Sequence, residues 1–173
     1  MAVFKDRAEF EHVMNRLFER LMAAPAVAGP LQGTDLVVRF RYPDLDSVLT
    51  FDFKHKPAEF SARGDGAADV EMVQSSDTAH EFWLGRLNPV RAIATGRVRA
   101  RGDVAGALKL LPAIRPAFQI YSEVLGELGL GQRVAQEPAR RPRRLDWRRL
   151  SALFRRREKI DRSRLPRDAV PPT

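Results

Sequence analysis

Residues Gly85–Asp103 read GRLNPVRAIATGRVRARGD, and the order of chain reversals in this stretch decides the fold. Gly85 follows the apolar run Phe82-Trp83-Leu84, where a helix ends with least strain on a residue that tolerates positive φ. Asn88 then caps and Pro89 opens a second short helix, because proline lacks only a donor that would be unpaired at that position. That helix carries Val90, Ile93 and Ala94 on one side and stops at Gly96. Arg97-Val98-Arg99-Ala100-Arg101 alternates with period two, as a strand with one wet face should, and Gly102-Asp103 turns the chain and caps a further helix.

Upstream, residues from about Phe4 to Met22 place Phe10, Val13, Met14, Leu17, Phe18 and Leu21 on one helical face, opposite Glu11, Arg16, Glu19 and Arg20. Such a helix covers a sheet, and the same face can also serve as one wall of a cavity. Pro25, Gly29 and Pro30 are expected to break the chain after it. From Leu36 the period changes to two. Leu36, Val38, Phe40 and Tyr42 share a face, as do Leu49, Phe51 and Phe53 after a Pro43-Asp44 turn. Shorter runs around Phe60 and Val70-Met72 follow, and with the strand at Val98 they make five. These strands are expected to form a meander with one apolar face. Between the fourth strand and Gly85, Ser76, Asp77 and Thr78 offer N-cap oxygens, and Thr78-Ala79-His80-Glu81 has the spacing of a capping box.

Downstream of Asp103, Val104, Leu108, Leu110 and Leu111 precede Pro112 and Pro116, and Phe118, Ile120, Tyr121, Val124, Leu125 and Leu128 follow. The prolines divide this into two helices or one bent near Pro112. The fold class is α+β: a five-stranded, mostly antiparallel sheet with helices packed on one face. Together the helices offer more apolar surface than simple coverage needs, which points to an internal apolar cavity unless dense packing absorbs the surplus.

A short helix ending in glycine, an Asn-Pro restart, a second helix ending in glycine, an alternating strand and a Gly-Asp turn form an order that resembles the sterol carrier protein 2 lipid-binding family. The resemblance runs from the strands near Leu36 to about Gly131. It implies a tunnel between the sheet and the helices that takes sterols, fatty acyl chains or similar amphiphiles with little selectivity. Family relatives that assist quinone biosynthesis show that an accessory or scaffold role in lipid or quinone metabolism is also open. The alternating strand usually carries lysines in this family, and here it carries arginines.

Charge divides the chain. Residues 1–132 hold 16 Lys and Arg against 17 Asp and Glu, whereas residues 133–173 hold 14 against 5, so the whole excess of the +8 net charge lies in the tail. A body spanning 1–132 is thus nearly neutral. The tail, 133–173, begins with an Arg/Pro-rich run and continues into an expected amphipathic helix near 145–160. Trp147, Leu150 and Phe154 fall within one arc of that helix, with Arg148, Arg149, Arg155 and Arg156 mostly outside it. A basic helix with such a stripe matches an interfacial membrane helix. Docking on an anionic membrane is the first expectation for it. Folding back over the protein's own cavity mouth is the alternative, and nucleic-acid binding ranks lower because no recognition motif accompanies the charge.

Chemistry of other kinds is excluded or lacks support. With no cysteine there is no disulfide, thiolate zinc site or cysteine nucleophile. His12, His55 and His80 lack partners at metal-ligand spacing, no GxSxG elbow exists, and Gly126, Gly129 and Gly131 follow a helix rather than a strand. RGD occurs at Arg63 and at Arg101, in both places read as a turn with an Asp cap. No catalytic residue, metal or cofactor is expected, and the partner expected is a lipid or other hydrophobic small molecule. The charged start and the lack of a spanning apolar segment make the cytoplasm the expected compartment, with peripheral membrane contact through the tail. From facing parity alone, the candidate lining of the tunnel is Phe40, Phe51, Phe60, Met72, Trp83, Ile93, Leu108, Leu111, Phe118 and Tyr121. Core packing calls on the same residue types, so both roles stay open at each.

Overall fold

A computed structural model describes residues 3–131. The first helix, α1 (Arg7–Ala23), starts where the Asp6 carboxylate accepts the Glu9 backbone N–H at 2.9 Å. Its buried side chains are Phe10, Val13, Met14, Leu17, Phe18 and Leu21, the six that periodicity places on one face. At ~1.5–3 kcal/mol per buried side chain, this stripe dominates the helix's placement. Phe10 meets Tyr42 edge to face at 4.6 Å, and Phe18 stands 5.8 Å from Phe51 and 5.5 Å from Phe60. The expected chain break after α1 is instead a helix, α2 (Pro25–Gln32). Pro25 occupies its first turn, where the missing donor costs nothing, and burial of Val27, Ala28 and Leu31 holds it despite Pro30 in its interior.

Five strands follow the sequence pattern: β1 (Val37–Tyr42), β2 (Ser47–Asp52), β3 (Glu59–Ser61), β4 (Val70–Val73) and β5 (Arg99–Gly102). They are ordered β3-β2-β1-β4-β5 in one sheet. The sheet is mixed. β2 pairs antiparallel with β1 and β3, and β5 antiparallel with β4, but β4 lies parallel to β1. The meander is therefore corrected: after β3 the chain returns to the far side of β1. Period two assigns side chains to faces and says nothing about which strand is the neighbour or which way it runs. On the inner face, register aligns Phe60, Phe51, Val38 and Val70 in one cross-strand row and Leu49, Phe40, Met72 and Ala100 in the next.

The outer face is not wholly wet, as the alternation had implied. Arg39, on that face, is only 5% exposed. Its Nη2 donates to the carbonyls of Asp65 (2.6 Å) and Gly66 (3.1 Å), and its Nε to Thr50 Oγ1 (3.3 Å). Thr50 in turn donates to the Arg63 carbonyl at 2.7 Å. The first RGD thus folds over the sheet as a covering loop, and no helix follows Asp65 for it to cap. The second behaves as read, with Asp103 Oδ1 accepting the Gly106 N–H at 2.8 Å.

The remaining helices are α3 (Ser76–Trp83), α4 (Pro89–Ala94), α5 (Val104–Lys109), α6 (Leu111–Ile114) and α7 (Ala117–Glu127). α3 is capped by Ser75, ahead of all three candidates Ser76, Asp77 and Thr78, and Asp44 takes the Ser76 N–H at 2.9 Å and its hydroxyl at 2.6 Å. Asn88 caps α4 as read. Pro112 and Pro116 split the last region into three helices rather than two, each proline standing at a helix start. Gly85 has φ +69, and a Cβ there would lie 2.9 Å from the Phe118 ring, so the end of α3 and the start of α7 meet through a missing side chain. Buried residues of α1, α3, α7 and the sheet's inner face form one core cluster, which puts these helices on one side of the sheet.

Candidate functional site: an apolar cavity between sheet and helices

Not all of the inner face is covered by core. Val38, Phe40, Phe51 and Met72, from β1, β2 and β4, form the floor of a cavity, with Phe53 just beyond β2. α1 contributes Phe18 and Leu21, and α2 contributes Leu31. Phe82 and Trp83 come from the end of α3, then Leu87, Pro89 and Ile93 from the restart that Asn88 caps, and Val98 from the approach to β5. Ala107 and Leu108 of α5, Leu110, and Leu111 and Ile114 of α6 complete the wall. The glycines and prolines of residues 85–116 do structural work here. They break the chain into short helices that run around an opening instead of one long helix that would lie flat on the sheet.

Of twenty lining residues, only Gln74 is polar. It is buried and shares a side-chain hydrogen bond with Tyr42. Burial raises the Tyr42 hydroxyl far above the usual phenol range, Gln74 opposes that rise, and Asp44 adds to it. The cavity holds about 100 Å³ on the measure by which one water needs ~10–15 Å³. Space free of atoms, its solvent-open side included, is about 900 Å³. An apolar wall gives water few partners and favours apolar guests.

Seven of the ten residues singled out by parity stand on this wall: Phe40, Phe51, Met72, Trp83, Ile93, Leu108 and Leu111. The other three lie outside it. Phe60 is on the edge strand and packs against Phe18 and Phe51. Phe118 meets Phe82 edge to face at 5.9 Å, on the side of α3 where Gly85 leaves room. Tyr121 is fully buried and hydrogen-bonds His80 at 2.8 Å. Parity fixes a face but not how far along the face the core extends. Trp83 is 7% exposed, turned inward rather than into solvent. Phe18 and Leu21 were legible as a helix face, whereas Gln74, Leu31 and Ile114 had no signal beyond being near a strand end or within a helix. The docking residues Trp147, Arg148, Arg149, Leu150, Phe154, Arg155 and Arg156, and the basic tail with them, lie outside the described residues.

Among the described residues no group of three or more His, Asp or Glu is placed to hold a metal, and no helix is long and apolar enough to cross a membrane. The buried pair His80 and Tyr121 does not line the cavity. Burial first and the Arg86 charge second lower the His80 imidazole to about 4.

The model of the SCP-2 sterol transfer family matches residues 14–115. The chain belongs to the SCP-2 sterol transfer family. All five strands, and every residue that lines the cavity, fall inside the SCP-2 match. The chain is also similar to solved structures. Sterol carrier protein 2 from Yarrowia lipolytica is 17% identical with a TM-score of 0.49, covering 68% of this chain and 94% of that one. Sterol carrier protein domain 2 of Helicoverpa armigera is 20% identical with a TM-score of 0.48, covering 62% and 88%. The sec-alkylsulfatase Pisa1 from Pseudomonas sp. is 17% identical with a TM-score of 0.45 over 50% of this chain, and the chain spans only 14% of that enzyme's length. No curated protein matches.

Proposed function

We propose that this SCP-2 family chain binds the apolar part of a lipid, a sterol, fatty acyl chain or similar amphiphile, in the cavity between its sheet and helices, and carries it without chemical change. The observation that carries this reading is the composition of the wall: nineteen apolar residues and one glutamine already engaged with Tyr42. Such a wall offers an apolar guest a dry environment and offers its polar atoms almost nothing. Affinity then comes from area. A chain of ~16 methylenes at ~0.8 kcal/mol each supplies about 13 kcal/mol gross, enough to offset association costs of ~4–15 kcal/mol when most of the chain is covered. Selectivity is correspondingly loose, because discrimination needs placed polar groups and the wall has one.

The test is displacement of a fluorescent fatty acid from the purified full-length protein by unlabelled fatty acid and by sterol, together with organic extraction and mass spectrometry of what co-purifies. Saturable binding with competition by both ligands is expected. A protein that neither binds the probe nor carries extractable lipid would overturn the reading.

A further inference from the structure

We propose that the open side of the cavity, formed by α4 and α6, is a docking face for an anionic lipid bilayer. Within the nearly neutral body, charge is segregated. Residues 82–122 hold seven Lys and Arg and a single acid, Asp103, while the rest of the described residues hold nine Lys and Arg against sixteen Asp and Glu. Asp103 is turned onto the first turn of its own helix, where it accepts the Gly106 N–H. The basic stretch is the one that supplies the lining residues reached by solvent and left out of the core cluster. Leu87, Ile93 and Leu111 line the cavity, are half-buried, and do not pack on that cluster. Val90 is half-buried beside them and joins neither cavity wall nor core. Interleaved with these along the chain stand Arg91, Lys109 and Arg115, all exposed.

Half-exposed apolar side chains among cations, on a stretch whose one carboxylate caps its own helix, match the layering of an anionic bilayer: negative headgroups outside, hydrocarbon within. A polyanion such as a nucleic acid would satisfy the cations and leave Leu87, Val90, Ile93 and Leu111 against water. A zwitterionic surface would use the apolar residues alone. The acidic remainder of the body is repelled by a negative surface, so the field orients the opening toward it. A ligand could then pass between bilayer and cavity without its chain crossing water.

The chain has no cysteine, so single-cysteine variants report position cleanly. Full-length Val90→Cys and, as control on the exposed side of α1, Asn15→Cys would each carry an environment-sensitive dye and be mixed with phosphatidylcholine vesicles with or without 30 mol% phosphatidylglycerol, all at low salt. The dye at 90 is expected to shift to the blue on the anionic vesicles only, and the dye at 15 not to shift. Separately, replacing Arg91, Lys109 and Arg115 together by alanine in the full-length chain is expected to weaken partitioning onto the anionic vesicles by roughly 100-fold, at about fivefold per cation. It should leave fatty-acid displacement in solution unchanged, which separates this inference from the proposed lipid binding. Equal dye responses at the two positions, no response at 90 while the protein sediments with vesicles, no vesicle binding at all, or partitioning of the triple variant within twofold of the parent would each overturn it.

Discussion

His80 Nδ1 and the Tyr121 hydroxyl stand 2.8 Å apart in a buried seam joining α3 to α7, and the other imidazole nitrogen, Nε2, is buried without a hydrogen-bond partner. Phe4 closes the seam with its ring 5.8 Å from His80. A neutral imidazole tolerates this site, and an imidazolium would bury an unpaired charge.

Stability should therefore depend on pH through His80. Its folded value, about 4, lies below the ordinary 6.5, so the unfolded chain binds the extra proton first. The contribution is fully present above pH 6.5 and is lost as pH falls from there toward 4. Between pH 7 and pH 5 urea unfolding should show a loss of roughly 2 kcal/mol. His55 acts in the opposite sense, since its hydrogen bond to Asp52 raises it, but it is exposed and solvent screens the pair. The carboxylates of Asp52 and Asp69, both lowered, matter only below this window. His80→Leu should flatten the slope between pH 7 and pH 5, and an unchanged slope in that variant would move the effect elsewhere.

Arg39 makes a second prediction. A guanidinium at 5% exposure whose Nη2 is held by the carbonyls of Asp65 and Gly66 ties residues 63–66 to the sheet. Arg39→Met keeps the stem's packing and removes the donors, leaving the loop's carbonyls to water. Unfolding free energy should fall by about 1.5–3 kcal/mol, as for hydrogen bonds from a charged donor. Limited trypsin digestion should then cut after Arg63 at least tenfold faster than in the parent. Protection equal to the parent's would show that Thr50, whose hydroxyl donates to the Arg63 carbonyl, holds the loop without Arg39.

What could be read from residues alone divides along a physical line. The α1 stripe, the five strands, the Asn88 and Asp103 caps and the short-helix segment at residues 85–103 are local patterns, and each is found in the structure. The parallel β1–β4 pair, the helix at Pro25, the Ser75 cap and the burial of Arg39 depend on partners distant in sequence. Asp44 engages Ser76 across 32 positions while Ser75 takes the cap, and no window around Ser76 contains that information. The cavity was legible as a surplus of apolar surface. Its outline was not, because the boundary between filled and open interior is set by where short helices turn. Phe118 and Tyr121 fall on the filled side.

Gly102 gives a third prediction, from backbone geometry. Its φ is +83, and a Cβ would stand 2.0 Å from the Asp69 carbonyl oxygen, the same oxygen that accepts the Asp103 N–H at 2.9 Å. Gly102→Ala must strain φ and separate β5 from β4. A loss of about 3 kcal/mol or more is expected, the strained-backbone cost plus the clash. Gly96→Ala is the control, with φ +75 and nothing within 4 Å of the added carbon, and should cost about 1 kcal/mol. Equal losses at both positions, measured by urea unfolding, would mean that the approach to Asp69 relaxes at no cost.

The cavity itself is tested by filling it. Leu111 lines the wall and is half-buried, so Leu111→Trp can swing the added indole into the opening without displacing core side chains. Volume taken from the guest reduces the apolar area it can bury, and the dissociation constant for a fluorescent fatty acid should rise at least tenfold, about 1.4 kcal/mol. The complementary variant is Phe118→Leu. Phe118 packs on Phe82 outside the wall, so this change should cost roughly 1 kcal/mol of stability through the lost aromatic pair and leave probe affinity within twofold. Stability and binding thus separate by position. If Phe118→Leu weakened the probe as much as Leu111→Trp did, the guest would be held along α7 rather than between the sheet and the short helices, and the outline of the site would have to be redrawn around Tyr121.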